Sequence, residues 1–180
     1  MEFEEFFIKG VFLLKPKVFG DVRGYFVESF NKKEFEKNIG EVNFVQDNES
    51  KSSAGVLRGL HFQRGEYAQA KLVRVIKGAV LDVVVDIRSN SPTFGKHCAV
   101  ELTEENKLQI FLPRGMAHGF VVLEDDTIFA YKVDNIYSPE NESGILYNDP
   151  YLAIDWRLPE PSLILSEKDK KLPLLRKRQQ

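Results

Sequence analysis

Cysteine occurs once in the 180 residues, at Cys98, so no intramolecular disulfide can form and no thiolate cluster can hold a metal. The residues around Cys98 alternate as they do on a strand, and it is expected to serve as a small buried hydrophobe. Neither sign of charge dominates. The 25 Lys and Arg against 27 Asp and Glu leave a formal charge of −2, which excludes any chain-wide attraction to nucleic acid or anionic membrane. An anionic ligand must therefore be met by individual arginines and lysines. No apolar run approaches the roughly 20 residues that span a bilayer, and the acidic opening Met1-Glu-Phe-Glu-Glu lacks the basic start of a secretory signal. The expectation is a soluble, reduced, cytoplasmic protein with no membrane or nucleic-acid partner. No glycine-rich phosphate loop of the nicotinamide-binding type is present either. What is abundant is apolar surface: 43% of residues are hydrophobic and 14 are Phe, enough for one well-cored domain.

Along the chain the dominant pattern is short alternating runs separated by turn residues, which predicts an all-β antiparallel sandwich or jelly roll. Strands are expected at 6–8 and 11–14 around Gly10, and at 25–30 after a turn in which Gly20, Asp21 and Gly24 bracket Arg23. Asn31 is placed to cap a short helix carrying Phe35 and Ile39, ended by Gly40. A strand over 43–48 and a polar loop over 49–54 come next. Strands then follow at 69–77, 79–88, 96–102, 108–112, 119–123 and 127–133. Residues 137–155 read as loop, 166 onward as a short helix, and 175–180 as a solvated tail. The chain divides into N-terminal strands and an arm (1–50), a barrel core (51–135) and a C-terminal loop with short helices (136–180), within a single domain.

The stretch Ser53-Ala-Gly-Val-Leu-Arg-Gly-Leu-His-Phe-Gln63 stands out, because it crowds Arg58, His61 and Gln63 onto an otherwise strand-like run. His61 is expected to face the barrel interior and to handle a proton there. Arg58 and His61 have opposite parity on an ideal strand, so both face inward only if Gly59 supplies a bulge; otherwise Arg58 lies at the rim. Later, Pro113-x-Gly115-x-x-His118 after an apolar strand resembles the second signature of cupins, small jelly-roll (double-stranded β-helix) barrels. The His-x-His that metal-binding cupins carry reads His61-Phe62-Gln63 here, and an amide is a poor ligand for a transition metal. No metal and no other cofactor is expected.

Taken alone, His61 is more often a satisfied core histidine than a base. Its company changes that reading. Lys71 shares a strand face with Val73 and Val75, and Tyr131 lies on a later strand. A histidine of near-neutral basicity, a lysine to meet an enolate oxygen and a tyrosine to return a proton suit proton abstraction beside a carbonyl. Either Asp82, on a valine-rich strand, or Asp169 could orient His61, and residue chemistry does not choose between them. Asp169 reads equally as one end of a capping box, Ser166-Glu-Lys-Asp169. Arg23 and Glu28 read as a surface pair or as holders of a phosphate and of a hydroxylated or nitrogenous group. Gln46 and Asn48 share a face suited to a sugar or pyrimidine, and Tyr137 is loop packing or a stacking platform.

The ordered motifs are similar to those of one family, the dTDP-4-dehydrorhamnose 3,5-epimerases. They run from Phe19-Gly-Asp-Val-Arg-Gly-Tyr-Phe-Val-Glu28 through Gln46-Asp-Asn48, Val56-Leu-Arg-Gly-Leu-His-Phe-Gln63 and Asp82-Val-Val-Val-Asp-Ile-Arg88 to Ser91-Pro-Thr-Phe-Gly95. Pro113-Arg-Gly-Met-Ala-His-Gly-Phe120, Tyr131-Lys132, Tyr137-Ser-Pro-Glu-Asn-Glu142 and Leu165-Ser-Glu-Lys-Asp169 complete the set. The resemblance implies a cofactor-free cupin-type homodimer whose N-terminal strands reach across to the partner. It implies His61 as general base, Tyr131 as general acid, Lys71 beside the substrate carbonyl and Asp169 as the partner of His61. It implies Arg23, Glu28, Gln46, Asn48, Arg58, His118, Glu142 and Lys168 as binders of a dTDP-4-keto-6-deoxyhexose, with Tyr137 stacked on the thymine. A relative that inverts one carbon, a keto-sugar isomerase, a sugar-nucleotide binder without activity and a metal-dependent cupin oxygenase are the rivals.

Overall fold

The computed structural model describes residues 1–175. The chain opens with an antiparallel hairpin, β1 (Glu2–Glu5) against β2 (Phe12–Lys15), Glu2 opposite Lys15. The strand expected at 6–8 is instead part of the connecting turn, closed by Gly10 N donating to Glu5 Oε1 at 2.8 Å. Ile8 and Val11 are fully buried there, so burial without pairing accounts for their apolar character. β3 (Val18–Asp21) and β4 (Gly24–Val27) form a separate two-stranded hairpin that is largely exposed. β4 stops at Val27, which leaves Glu28 beyond the strand. Helix α1 (Lys32–Asn38) begins where its cap predicts, with Asn31 Oδ1 accepting from Glu34 N, and it buries Phe35.

The expected polar loop over 49–54 is mostly strand: β5 runs Gln46–Ser52. Its alternation was hidden because both faces are polar, and it is an edge strand held by one neighbour. The remaining strands are β6 (Leu57–Gln63), β7 (Lys71–Lys77), β8 (Ala79–Asp86), β9 (His97–Thr103), β10 (Gln109–Leu112), β11 (Met116–Val122), β12 (Thr127–Val133) and β13 (Glu142–Gly144). They build a six-stranded sheet in the order β1-β2-β10-β7-β12-β5 and a five-stranded sheet in the order β13-β6-β11-β8-β9, every pairing antiparallel. This is the jelly-roll architecture the turn spacing predicts. β13 falls inside the stretch expected to be loop, and only its pairing with β6 defines it.

Side chains between the sheets form the main core, with Val73, Ile110 and Phe129 from one sheet meeting Val84, Leu102 and Phe120 from the other. Cys98 is buried among them, as expected, and burial together with the charge of Asp82 pushes its thiol up to about 12. The outer face of the five-stranded sheet is covered by the C-terminal segment through Ile145, Leu152 and Trp156. The outer face of the six-stranded sheet is covered by α1 and its flanks through Phe30, Phe35 and Phe44. Each large side chain buried in this way contributes roughly 1.5–3 kcal/mol. The helix expected after Ser166 is one 3-10 turn, Asp169–Lys171. Leu175 is not solvated tail: its N–H donates to Asp149 Oδ2 at 2.6 Å. The remainder of the expected tail, 176–180, lies outside the described residues.

Candidate active site

β6 carries the bulge that the parity conflict required. Across β11, His118 pairs with His61 while Phe120 pairs with Arg58, so β6 holds one residue more than its neighbour. Gly59 supplies it at φ +129°, and a Cβ there would come within 2.5 Å of Gly119 Cα and 2.8 Å of His118 O. Only glycine fits. The bulge turns His61 toward the space between the sheets and leaves Arg58 exposed at the rim, donating to Ser52 Oγ.

His61 Nε2 lies 2.6 Å from Asp169 Oδ1, and the Asp169 carboxylate also accepts from the Gly59 backbone. Burial pushes this carboxyl up, but the bonds from His61, Ser166 and Gly59 win and hold it below the ordinary range. Asp82 sits elsewhere, bonded to His118 Nε2 at 2.8 Å. The two aspartates thus divide between two histidines. The local turn and the contact with His61 coexist: the Asp169 N–H donates to Ser166 Oγ, while the carboxylate meets both Ser166 and His61.

Lys71 and Tyr131 come from adjacent strands of the opposite sheet, where Tyr131 pairs with Val73 and Val133 with Lys71. Lys71 Nζ lies 5.7 Å from the Tyr131 ring centre. Burial brings the Lys71 ammonium down to about 8, against the charges of Asp82 and Glu142. Burial also raises the Tyr131 phenol, which keeps it protonated at neutral pH. His61, Lys71, His118 and Tyr131 line one cavity of 150 Å³, with Phe120 and Phe129 as apolar walls. Arg58, His61 and Tyr131 also border an outer cleft of 500 Å³ that reaches Lys168.

Next to His61 on the sheet, β13 brings in Glu142 opposite Gln63. Tyr137 Oη donates to Glu142 Oε2 at 2.6 Å, and Lys168 pairs with the same oxygen. Gln63 is committed to structure, since its Oε1 accepts from Ser138 N and ties down the loop that carries Tyr137. Among the described residues no group of three or more His, Cys, Asp or Glu is arranged to hold a metal ion. Gln46 Nε2 donates to Asn48 Oδ1 at 2.7 Å, and Asn48 lies opposite Tyr131 in the register. Arg23 and Glu28 do not pair with each other. Arg23 binds Asp21 on the exposed hairpin, Glu28 accepts from Asn31, and neither lines the cavity. Phe120 and Phe129, stacked with centroids 4.0 Å apart, went unnoticed as walls of the site, although Phe129 shares the parity of Tyr131.

A histidine on one sheet faces a lysine and a tyrosine on the other across this cavity, with Arg58 and Lys168 at the outer cleft, residue types that can carry acid–base chemistry on an anionic carbonyl compound. The family model for dTDP-4-dehydrorhamnose 3,5-epimerase matches residues 5–177. The chain belongs to that family. The Escherichia coli K12 dTDP-4-dehydrorhamnose 3,5-epimerase is 58% identical over 167 residues, covering 92% of this chain and 89% of that protein. A Legionella pneumophila dTDP-6-deoxy-D-glucose-3,5-epimerase, solved in complex with dTDP-4-keto-L-rhamnose, superposes with a TM-score of 0.93 at 49% identity, covering 97% and 92% of the two chains. A 3'-monoepimerase from Streptomyces bikiniensis, in complex with dTDP-quinovose, gives 0.88 at 33% identity over 94% and 86%. Membership in the 3,5-epimerase family makes the chain an isomerase. No helix among its described residues is long and apolar enough to cross a membrane.

Proposed function

We propose that this chain inverts C3 and C5 of dTDP-4-dehydro-6-deoxy-D-glucose, giving dTDP-4-dehydro-L-rhamnose for dTDP-L-rhamnose biosynthesis. The 4-keto group acidifies both flanking carbons, so one carbonyl serves two inversions. The observation that carries the reading is the placement of His61 and Tyr131 on opposite sheets across one small cavity, with Lys71 beside Tyr131.

His61 takes the proton from carbon. Its bond to Asp169 engages Nε2 and leaves Nδ1 as the base. The carbon's electron pair moves into the carbonyl, and the Lys71 ammonium neutralises the enolate oxygen. Tyr131 then delivers its phenolic proton to the other face of the same carbon, and exchange with water resets both groups. Every proton is supplied by these side chains and solvent. Arg58 and Lys168 at the cleft bind the diphosphate, and His118, Glu142, Gln46 and Asn48 meet sugar and base hydroxyl and amide groups. Tyr137 is half-exposed and free to stack on the thymine.

The reading extends to a homodimer. In the single chain Phe19, Val22, Tyr25 and Phe26 of the β3–β4 hairpin are exposed, an apolar load that a second copy would cover. Arg23 and Glu28 would then serve the partner's site. A cytoplasmic location accords with the single free cysteine.

NMR of the product formed from dTDP-4-keto-6-deoxyglucose tests the reaction. The expected product has the L-rhamno configuration. Inversion at one carbon only would assign the monoepimerase reaction, and unchanged sugar bound to the protein would assign a binder.

A further inference from the structure

Tyr137 lies in an exposed segment beside Ile136. Among the described residues the main chain of 136–140 bonds mostly to its immediate neighbours: Ile136 N to Asn135 Oδ1, Ser138 O to Asn141 N and Pro139 O to Glu142 N. The hydrogen bond that reaches it from another part of the fold is Ser138 N donating to Gln63 Oε1 at 3.1 Å. Gln63 is buried, closes β6 two residues after His61 and lies opposite Glu142 of β13. Glu142 in turn accepts from the Tyr137 hydroxyl at 2.6 Å. The tyrosine is thus fixed at both ends, through Ser138 and through its hydroxyl, to one pair of facing residues. Gln63 Nε2 makes no hydrogen bond among the described residues, so the side chain is engaged through its oxygen alone. A buried amide whose one bond holds an exposed loop has its task in that loop.

We propose that Gln63 is a positioning residue for nucleotide binding, which holds Tyr137 where its ring stacks on the thymine while the sugar reaches His61. The proposal rests on the reading of Tyr137 as the thymine platform. Stacking depends on a close and defined ring geometry, and ordering a loose loop on binding subtracts from affinity. With Glu142 alone the ring would be held at its hydroxyl while the main chain behind it moved. The bond from Gln63 removes that freedom before the ligand arrives. Because β6 also carries His61, the same strand sets the spacing between the base-binding and proton-transfer ends of the site. Gln63 lines neither the inner cavity nor the outer cleft at His61, so it touches neither the sugar nor the reacting atoms. Its effect falls on nucleotide affinity and not on the chemical step.

The test is a double-mutant cycle on the full chain: wild type, Gln63→Met, Tyr137→Ala and both together. For each, calorimetric titration measures the Kd of dTDP and of inorganic pyrophosphate, and steady-state kinetics measures kcat and KM. Methionine keeps the length of the side chain and removes the acceptor. Tyr137→Ala is expected to weaken dTDP binding about 10–100-fold, the range for loss of a base–aromatic stack. Gln63→Met is expected to weaken it at least about fivefold, the least that an unpaired buried N–H costs. KM should rise in step with that Kd while kcat stays within about twofold, as lost uniform binding requires. Pyrophosphate carries no base, and its Kd should stay within about twofold throughout. In the Tyr137→Ala background, adding Gln63→Met should change dTDP affinity by less than about twofold, because both act on one contact. Unchanged dTDP affinity in Gln63→Met would overturn the proposal alone. So would an equal loss of dTDP and pyrophosphate, or a loss that persists undiminished without Tyr137, either of which assigns Gln63 a merely structural role. Unchanged dTDP affinity in Tyr137→Ala would overturn the stacking reading, and this proposal with it.

Discussion

Replacing Asp169 by asparagine separates charge from shape at the base. The carboxylate is buried and accepts from three donors, His61 Nε2 at 2.6 Å, the Gly59 backbone and the Ser166 side chain. An amide has one oxygen for the His61 and Gly59 N–H groups, since the Ser166 hydroxyl can turn to either atom. Either Gly59 N–H meets the amide NH2, or His61 does, and the second arrangement moves the histidine proton to Nδ1 and disables it. A charge-assisted hydrogen bond of this kind contributes about 1.5–3 kcal/mol, which corresponds to about 10–100-fold in rate, and tautomer reversal can take the loss to about 10⁴. The expected kcat is therefore about 10²–10³ below wild type, with KM changed less than about threefold, since Asp169 acts through His61. The local turn is retained because Ser166 is bonded by the Asp169 main chain, so Tm should fall only a few degrees. Steady-state kinetics with a matched thermal melt is the assay. A loss below about fivefold, or a KM rise that accounts for the whole effect, would refute the orienting role.

Three further perturbations follow from the same geometry. Gly59→Ala should cost several kcal/mol and abolish activity, because a positive φ and a 2.5 Å clash with Gly119 act together; Gly24→Ala, with φ +126° but open space around it, should cost only about 1 kcal/mol in the same melts. Lys71→Met should be inactive yet more stable by about 1–2 kcal/mol at pH 7. The folded lysine titrates near 8 against 10.5 unfolded, so the wild type carries its full burial cost below pH 8, and the gap to the variant should close as pH rises toward 10.5. Asp86 behaves in the opposite sense: burial pushes it up, but bonds from Arg88, Ser91 and Thr93 bring it down to about 2. Its contribution is complete above the unfolded value of 3.8 and lost as pH falls through 2, so Asp86→Asn should be about 2 kcal/mol less stable at pH 7 with no difference near pH 2.

Where one face of a strand is buried and the other is not, the pattern was legible: β12 runs from Thr127 to Val133 as its alternation predicts. Where both faces are polar, as in Gln46–Ser52, the alternation carried no hydrophobic signal, and half of the strand read as loop. Burial without pairing misled in the other direction at Phe6–Ile8. The bulge at Gly59 was legible as a conflict, since Arg58 and His61 could not share a face without it. Residue chemistry alone did not choose between Asp82 and Asp169, because the contact spans 108 residues and only the closed fold brings it about; the family motifs favoured Asp169. Gln63 marks a departure from the metal-binding pattern in the sequence, but its bond with Ser138 depends on a loop 75 residues away. The family motifs named the remaining residues without saying which of them one chain assembles. His61, Lys71, His118 and Tyr131 meet in one cavity, while Arg23 in the hairpin turn and Glu28 just past β4 stand apart from it.

The central claim is that one base on one sheet, opposed by one acid on the other, opens both carbons beside a single carbonyl. Reaction in deuterated water, followed by NMR of the recovered sugar nucleotide, measures this directly. The expected result is deuterium at both C3 and C5 with the wild type and at neither with His61→Ala, while the variant still binds dTDP. Label at one carbon only, or undiminished exchange in His61→Ala, would contradict it.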